Sequence, residues 1–366
     1  MRKILAGVMA VLGFSLGNAL AADENLLIFV DAIEQSYIEP RPMHRLAMAA
    51  FKGLHDMDPK VRVADDDVRF TLYYDAKVYK NFNKPEEDNA LEWVELIDKV
   101  FKAVVQVSPQ VSLKDFEAPD AMMNRMVEIL DKDSKFYRAM DLADTSALKR
   151  RLNFASRRIG DILYVRIGVF DINTSKQMSE VMQKEKDAKA LILDLRGNSG
   201  GQLQSASRIA GMFLEGGMVF MTRGRGFNAN MVYSASEKGD FEGKPIVILV
   251  DGQTASAAEM MAGSLQEQSR ALLVGTETYG KGTTQRLITF PNSSVLALTN
   301  AYIYLPSGKS FTDNGVMPDY CLSGKRGAAE TKAAVAEKSS GACVRENREG
   351  RDEDVEAAVE LLKTRI

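Results

Sequence analysis

The feature that most constrains this chain begins near residue 153. From there, short runs of β-branched and apolar residues alternate with helical windows. ILYVRIGVF (162–170) precedes SKQMSEVMQKEK (175–186), and ALILDLRG (190–197) precedes SASRIAGMFLEG (205–216). PIVILVDG (245–252) precedes SAAEMMAGSLQE (256–267), ALLVGT (271–276) follows, and SVLALTNAYIYLP (294–306) adds more strand. Strands that are apolar throughout are buried on both faces, and helices between them bring successive strands in parallel. The expectation is an α/β core over 153–321.

The stretch before it has a different texture. LLIFVDAIEQSYI (26–38) and LAMAAFKGL (46–54) have helical apolar spacing, while VRFTLYYDAKVY (68–79) alternates as a hairpin strand would. Residues 85–107 make the clearest amphipathic helix, with Pro85 in front, acids in the first turn and Pro109 beyond the end. Another helix is expected over 115–131, and the charged stretch 141–151 reads as a boundary. The region 22–152 is thus expected to be mainly helical. A C-terminal loop and helix, 322–366, follow the core, with the helix at 352–363.

Residues 1–21 read as a secretory leader: Arg2 and Lys3, an apolar run from Ile4 to Leu16, and Ala19-Leu20-Ala21 as a small-x-small cleavage site. The run falls short of the ~20 residues that span a bilayer, so a stable membrane anchor is not expected. Export, most simply to a periplasm, permits disulfides, and Cys321 and Cys343 are the only cysteines. One bridge between them is expected. A net charge of -3 gives no basic stripe for nucleic acid. Two cysteines and two histidines, His44 and His55, supply no recognisable metal set, so neither metal nor cofactor is expected.

Three loops of the α/β part could carry chemistry. Asp194-Leu195-Arg196-Gly197-Asn198-Ser199-Gly200-Gly201 follows a buried strand, and its glycines let backbone N–H groups face an oxyanion. The second loop sets Ser256 on a strand-to-helix turn. The third, Gly275 to Gly282, is G-x-x-x-x-G-K. A phosphate-binding reading of it fails, because position 282 is glycine where a magnesium-ligating hydroxyl belongs. The segment after Lys281, GTTQRLITF, also reads as strand, so no helix N-terminus would face a phosphate.

All three loops fit a serine nucleophile. Both histidines lie far upstream of Ser256, and a lysine can replace histidine as base when it is neutral, a state that burial favours. Parallel strands gather their C-terminal loops along one edge, so Ser256 and Lys281 can meet there. The N–H of Ala257 and one from Gly200-Gly201 would then form the oxyanion hole.

These motifs resemble those of the tail-specific, or C-terminal processing, serine proteases. The family's D-L-R-x-N-x-G-G is matched by Asp194 to Gly201, and its S/T-A-S-A-x-E by Thr254 to Glu259. V-G-x-x-T-x-G-K-G-x-x-Q is matched by Val274 to Gln285. Pro306-Ser307-Gly308 with Phe311, and Gly315-Val316-Met317-Pro318-Asp319, match two further elements. The resemblance implies a crotonase/ClpP-like core and a serine endopeptidase acting on protein or peptide substrates, with Ser256 as nucleophile, Lys281 as general base and Gln285 orienting the lysine. It suggests a supporting role for Glu259, which an ordinary first-turn carboxylate would explain equally well. Relatives usually carry a PDZ domain between an LDPHSSY-like segment and the core. Here LDKDSKFY (130–137) is followed by the core strand at Ile162, so no PDZ domain is expected.

Recognition would then pass to the N-terminal region, where Tyr73, Tyr74, Tyr79 and Phe82 look exposed, or to an adaptor protein or a homo-oligomer. Ser146-Ala147-Leu148-Lys149 is an S-x-x-K without its partner motifs, and chance explains it better. The alternative from another functional class is a non-catalytic peptide-binding protein on the same fold.

Overall fold

The structure is a computed structural model that describes residues 24–112, 117–138, 154–235, 241 and 243–366. The expected leader, 1–21, and the S-x-x-K motif at 146–149 lie outside these residues. Two compact units emerge: one from the described residues of Met1–Gln35, Glu39–Arg138 and Ile288–Leu296, the other from those of Ser36–Ile38, Ala139–Leu287 and Ala297–Ile366.

The smaller unit contains α1 (Glu24–Ser36), α2 (Met43–Met57), β1 (Val61–Asp65), β2 (Arg69–Tyr74), β3 (Lys77–Asn83), α3 (Ala90–Val107), α4 (Glu117–Glu128) and β4 (Lys135–Tyr137). The three strands β1-β2-β3 form an antiparallel sheet. Helices α2 and α4 approach closely at Gly53, where a Cβ would lie 2.6 Å from the Ala121 carbonyl oxygen. Helix α3 starts later than Pro85 suggests, because the Asn89 Oδ1 accepts from the Leu91 and Glu92 N–H groups and caps it there. Of the four aromatics that looked exposed, Tyr79 is 42% exposed but Phe82 only 7%, since Phe82 faces the sheet's packed side opposite Phe70. Phe29, Phe136 and Phe290 meet edge-on and stacked in this unit's core.

The larger unit is α/β. Its main sheet has β5 (Phe154–Ile159), β6 (Ile162–Ile167), β7 (Ala190–Asp194), β10 (Ile246–Val250), β11 (Leu272–Gly275) and β14 (Tyr320–Cys321), in the order β14-β11-β10-β7-β6-β5. All neighbours are parallel except the β5–β6 hairpin. Alternation sends Leu191, Leu193, Ile248 and Val250 to one face. There they pack with α5 (Thr174–Lys184), α6 (Leu203–Gly211) and α7 (Ala257–Glu267). Ile192, Val247 and Leu249 go to the other face, under α8 (Gly327–Ala334) and α9 (Asp352–Lys363).

A second sheet has the order β12-β13-β8-β9, from β8 (Gly217–Gly224), β9 (Met231–Ala235), β12 (Thr283–Thr289) and β13 (Val295–Tyr304). The expected bridge is present: Cys321 on β14 is bonded to Cys343. Among the described residues no helix is long and apolar enough to cross a membrane, and no group of acidic, histidine or cysteine side chains could hold a metal.

Candidate active site

Strands β7, β10 and β11 run parallel and end side by side, so the loops after Asp194, Val250 and Gly275 share one edge. Backbone bonds stitch these loops together. Leu195 N–H donates to the Leu249 carbonyl, Ala255 N–H to Asn198, and Tyr279 N–H to Thr254, at 2.9, 2.9 and 3.0 Å. Asp251 ties in further donors: its Oδ1 accepts from the Gly197, Gln253 and Thr254 N–H groups, and its Oδ2 from the Arg348 N–H.

Ser256 is the turn between β10 and α7. Its φ of 56° and ψ of -119° lie where a side-chain-bearing residue is strained. Such positions cost about 1–3 kcal/mol and persist where the surroundings impose them, commonly at active sites. The strain is held by Glu259, fully buried one turn into α7. The Glu259 Oε2 accepts from the Ser256 N–H and from the Lys281 N–H, each at 2.8 Å. Its Oε1 accepts from the Gly280 N–H and the Thr278 hydroxyl. One carboxylate oxygen therefore binds both amides, and the backbones of Ser256 and Lys281 lie no further apart than two hydrogen bonds. Burial pushes the Glu259 carboxyl above its ordinary value, and the four donors partly offset that.

Lys281 is half-buried between two glycines that the loop cannot do without. A Cβ on Gly280, at φ 88°, would lie 2.9 Å from the Asp313 backbone, and one on Gly282 would lie 2.4 Å from the Thr312 Oγ1. The Lys281 Nζ makes no hydrogen bond or ion pair with another described group, and the Ser256 Oγ–Lys281 Nζ hydrogen bond is not formed. Substrate-free sites commonly leave such bonds open. Gln285 sits on β12, where its Nε2 donates to the Thr283 hydroxyl at 2.9 Å and faces Thr299 at 3.5 Å; it makes no bond to Lys281.

The glycine loop packs directly on the serine. A Cβ on Gly200 would lie 2.8 Å from the Ser256 Cβ and 3.0 Å from the Ala257 N. The Gly200 N–H, however, donates to the Asn198 Oδ1 at 2.8 Å, and Asn198 is itself fixed by donating to the Ile167 carbonyl. Of the expected oxyanion donors, Gly200 is thus occupied. The N–H groups of Gly201 and Ala257 bond no other described group.

The Asp194-Leu195-Arg196 part of the loop turns away from Ser256. Arg196 grips Asp194 through two parallel hydrogen bonds, Nε to Oδ1 at 2.9 Å and Nη2 to Oδ2 at 2.7 Å. The Tyr164 hydroxyl also donates to Asp194. The Arg196 Nη1 then reaches Asp354 on α9 at 3.1 Å, and Asp354 binds buried Arg348. Burial alone would raise the Asp194 carboxyl, but Arg196 and Tyr164 outweigh it and hold it below the ordinary value. The motif therefore docks the C-terminal segment. That segment also crosses the loop edge, where Glu346 accepts from the Gly252 N–H and the Thr276 hydroxyl.

Asn198 and Thr278 stand at fixed positions of the D-L-R-x-N-x-G-G and V-G-x-x-T-x-G-K motifs, but the sequence does not say that they organise the site; Asp251, which opens the turn after the apolar run IVILV, is a third organiser that lies in neither motif.

Residues 161–322 match peptidase family S41. A carboxy-terminal-processing protease from Bartonella bacilliformis is 36% identical over 199 residues, which cover 52% of this chain and 44% of that protein. The carboxy-terminal processing protease CtpA of Bacillus subtilis is 33% identical over 167 residues, 45% of this chain and 36% of that one. The chain thus spans less than half the length of these relatives. Among solved structures, a lipoprotein from Streptococcus agalactiae shares the fold at a TM-score of 0.55 and 17% identity, over 84% of this chain and 94% of that one. A photosystem II D1 C-terminal processing protease does so at 0.50 and 17%, over 82% and 93%.

Proposed function

We propose, from the match of residues 161–322 to peptidase family S41 and the similarity to carboxy-terminal-processing proteases, that this chain is a serine endopeptidase in which Ser256 and Lys281 form the catalytic dyad. The observation that carries this reading is the Glu259 carboxylate, whose one oxygen holds the Ser256 and Lys281 backbones together.

In this mechanism the Ser256 Oγ attacks the scissile carbonyl while its proton passes to the Lys281 Nζ, which must be neutral at that moment. The carbonyl oxygen, now negative, is met by the N–H groups of Ala257 and Gly201, at the N-terminus of α7 and in the glycine loop. Lys281 returns the proton to the leaving amine, and a water repeats the sequence to release the acyl group from Ser256. Glu259 touches no reacting atom in this scheme; it positions the two backbones. Gln285 would orient the lysine by accepting at its Oε1, while its Nε2 is held by the Thr283 hydroxyl.

The substrates in this reading are exported proteins, cut near their C-termini, and the compartment is the periplasm. The Cys321–Cys343 bridge supports an oxidising location. The test is hydrolysis of an unstructured protein such as casein by the wild type, Ser256→Ala and Lys281→Ala. Turnover that both changes abolish, with folding intact by circular dichroism, supports the dyad. Wild-type protein that binds casein without cutting it would favour the non-catalytic binding protein instead.

A further inference from the structure

The smaller unit carries a cavity of about 710 Å³ lined by α2, β1 and the end of α4, apart from every group used above. Arg41, His44, Arg45, Lys52, His55 and Arg62 line it, and no aspartate or glutamate does. Its floor is apolar, with Phe51, Met48 and Val63, and Ile129 lies exposed on the rim. Arg45, Met48, Lys52 and His55 recur at helical spacing, so one face of α2 presents charge, apolar surface and charge in turn.

Not all these cations are equally available. Arg41 pairs with Glu39 at 3.1 Å, His44 with Asp65 at 2.5 Å, and His55 is tied to the Val61 carbonyl. Arg45, Lys52 and Arg62 have no carboxylate partner among the described residues; Arg62 only lies over the Tyr73 ring, 4.7 Å from its centre. A chain of net charge -3 thus gathers three unneutralised cations around one apolar hollow.

We propose that this cavity docks an acidic segment of a protein substrate, its apolar side chains on Met48, Phe51 and Val63 and its carboxylates on Arg45, Lys52 and Arg62. Charge complementarity selects the occupant: a neutral apolar segment would leave three cations facing it, and a basic one would be repelled. The apolar floor adds what a bare basic patch lacks, a surface that excludes water from the charge pairs. The inference rests on the peptidase reading, because it names a substrate feature of that enzyme.

The test separates the two. Fluorescence anisotropy would follow a short labelled peptide of leucine and glutamate binding to full-length Ser256→Ala protein. The same peptide with glutamine or lysine in place of glutamate gives the comparison. The acidic peptide should bind, weaken with added salt, and lose about tenfold or more in affinity to Arg45→Glu/Lys52→Glu on the Ser256→Ala background. Those side chains are exposed, and circular dichroism checks the fold. In an otherwise wild-type chain, the same charge reversal should leave hydrolysis of a neutral, unstructured peptide unchanged. No binding of the acidic peptide, equal binding of the lysine peptide, or affinity indifferent to the charge reversal would overturn the docking site and leave the dyad standing. Tight acidic-peptide binding by a wild-type chain that hydrolyses nothing would do the opposite.

Discussion

Replacing Asp354 by alanine should destabilise the larger unit more than any exposed charge deletion. Asp354 is fully buried on α9 and is the carboxylate that Arg196 and Arg348 share, through contacts at 3.1 and 2.9 Å and a second one to Arg348. Arg196 would keep Asp194 and two backbone carbonyls. Arg348, 0% exposed, would keep carbonyl oxygens and only a long 3.4 Å approach to Glu346. Removing one partner of a buried pair leaves an uncompensated charge and costs about 3–5 kcal/mol. At about 2–4 °C per kcal/mol for a unit of this size, the melting temperature should fall by about 6–20 °C. The assay is differential scanning calorimetry against Asp187→Ala. Asp187 is 74% exposed and pairs with Arg158 at 2.8 Å, a surface contact worth at most about 1 kcal/mol. Equal shifts for the two variants would refute the claim that the Asp194-Leu195-Arg196 motif docks the C-terminal segment through a buried ionic chain.

Other consequences can be checked alongside. Lys281→Arg should lose nearly all turnover while melting like the wild type, because a guanidinium does not give up its proton; substantial residual hydrolysis would count against the dyad. Gly200→Ala should cost at least about a hundredfold in kcat, the scale of a lost oxyanion donor, since its Cβ would press on the Ser256 Cβ and the Ala257 N. The double change Cys321→Ser/Cys343→Ser should lower stability by about 3 kcal/mol in chemical denaturation, for a bridge closing a sequence separation of 22. Asp194 is held below its ordinary 3.8, so the native state binds fewer protons there than the unfolded chain. Its contribution is full above that value and is lost as pH falls through the lower folded one. Asp194→Asn should therefore be less stable at neutral pH yet show a flatter acid limb in denaturation below pH 4.

The α/β part was legible because its strands are continuous apolar runs, and α9 was read to the residue from its amphipathic spacing. The pairing of β8 with β9 was not, because β9 is largely exposed and carries little periodic signal. The edge that gathers the three loops followed from parallel topology alone. What the sequence hid was the division of labour within one motif: Asp194 and Arg196 serve packing, Asn198 takes up the Gly200 N–H, Gly200 packs on the serine, and Gly201 lies against Phe170. Those assignments depend on where a carbonyl or carboxylate ends up in space, which residue identity does not encode. The late start of α3 has the same origin, since both Pro85 and Asn89 can open a helix and only the cap hydrogen bonds decide.

The most direct test of the dyad is covalent labelling by a peptidyl phosphonate, read by intact mass and peptide mapping. The account predicts a single adduct on Ser256 in the wild type, none in Ser256→Ala, and labelling slowed by orders of magnitude in Lys281→Ala. An adduct on another residue, or labelling that persists without Ser256, would contradict it.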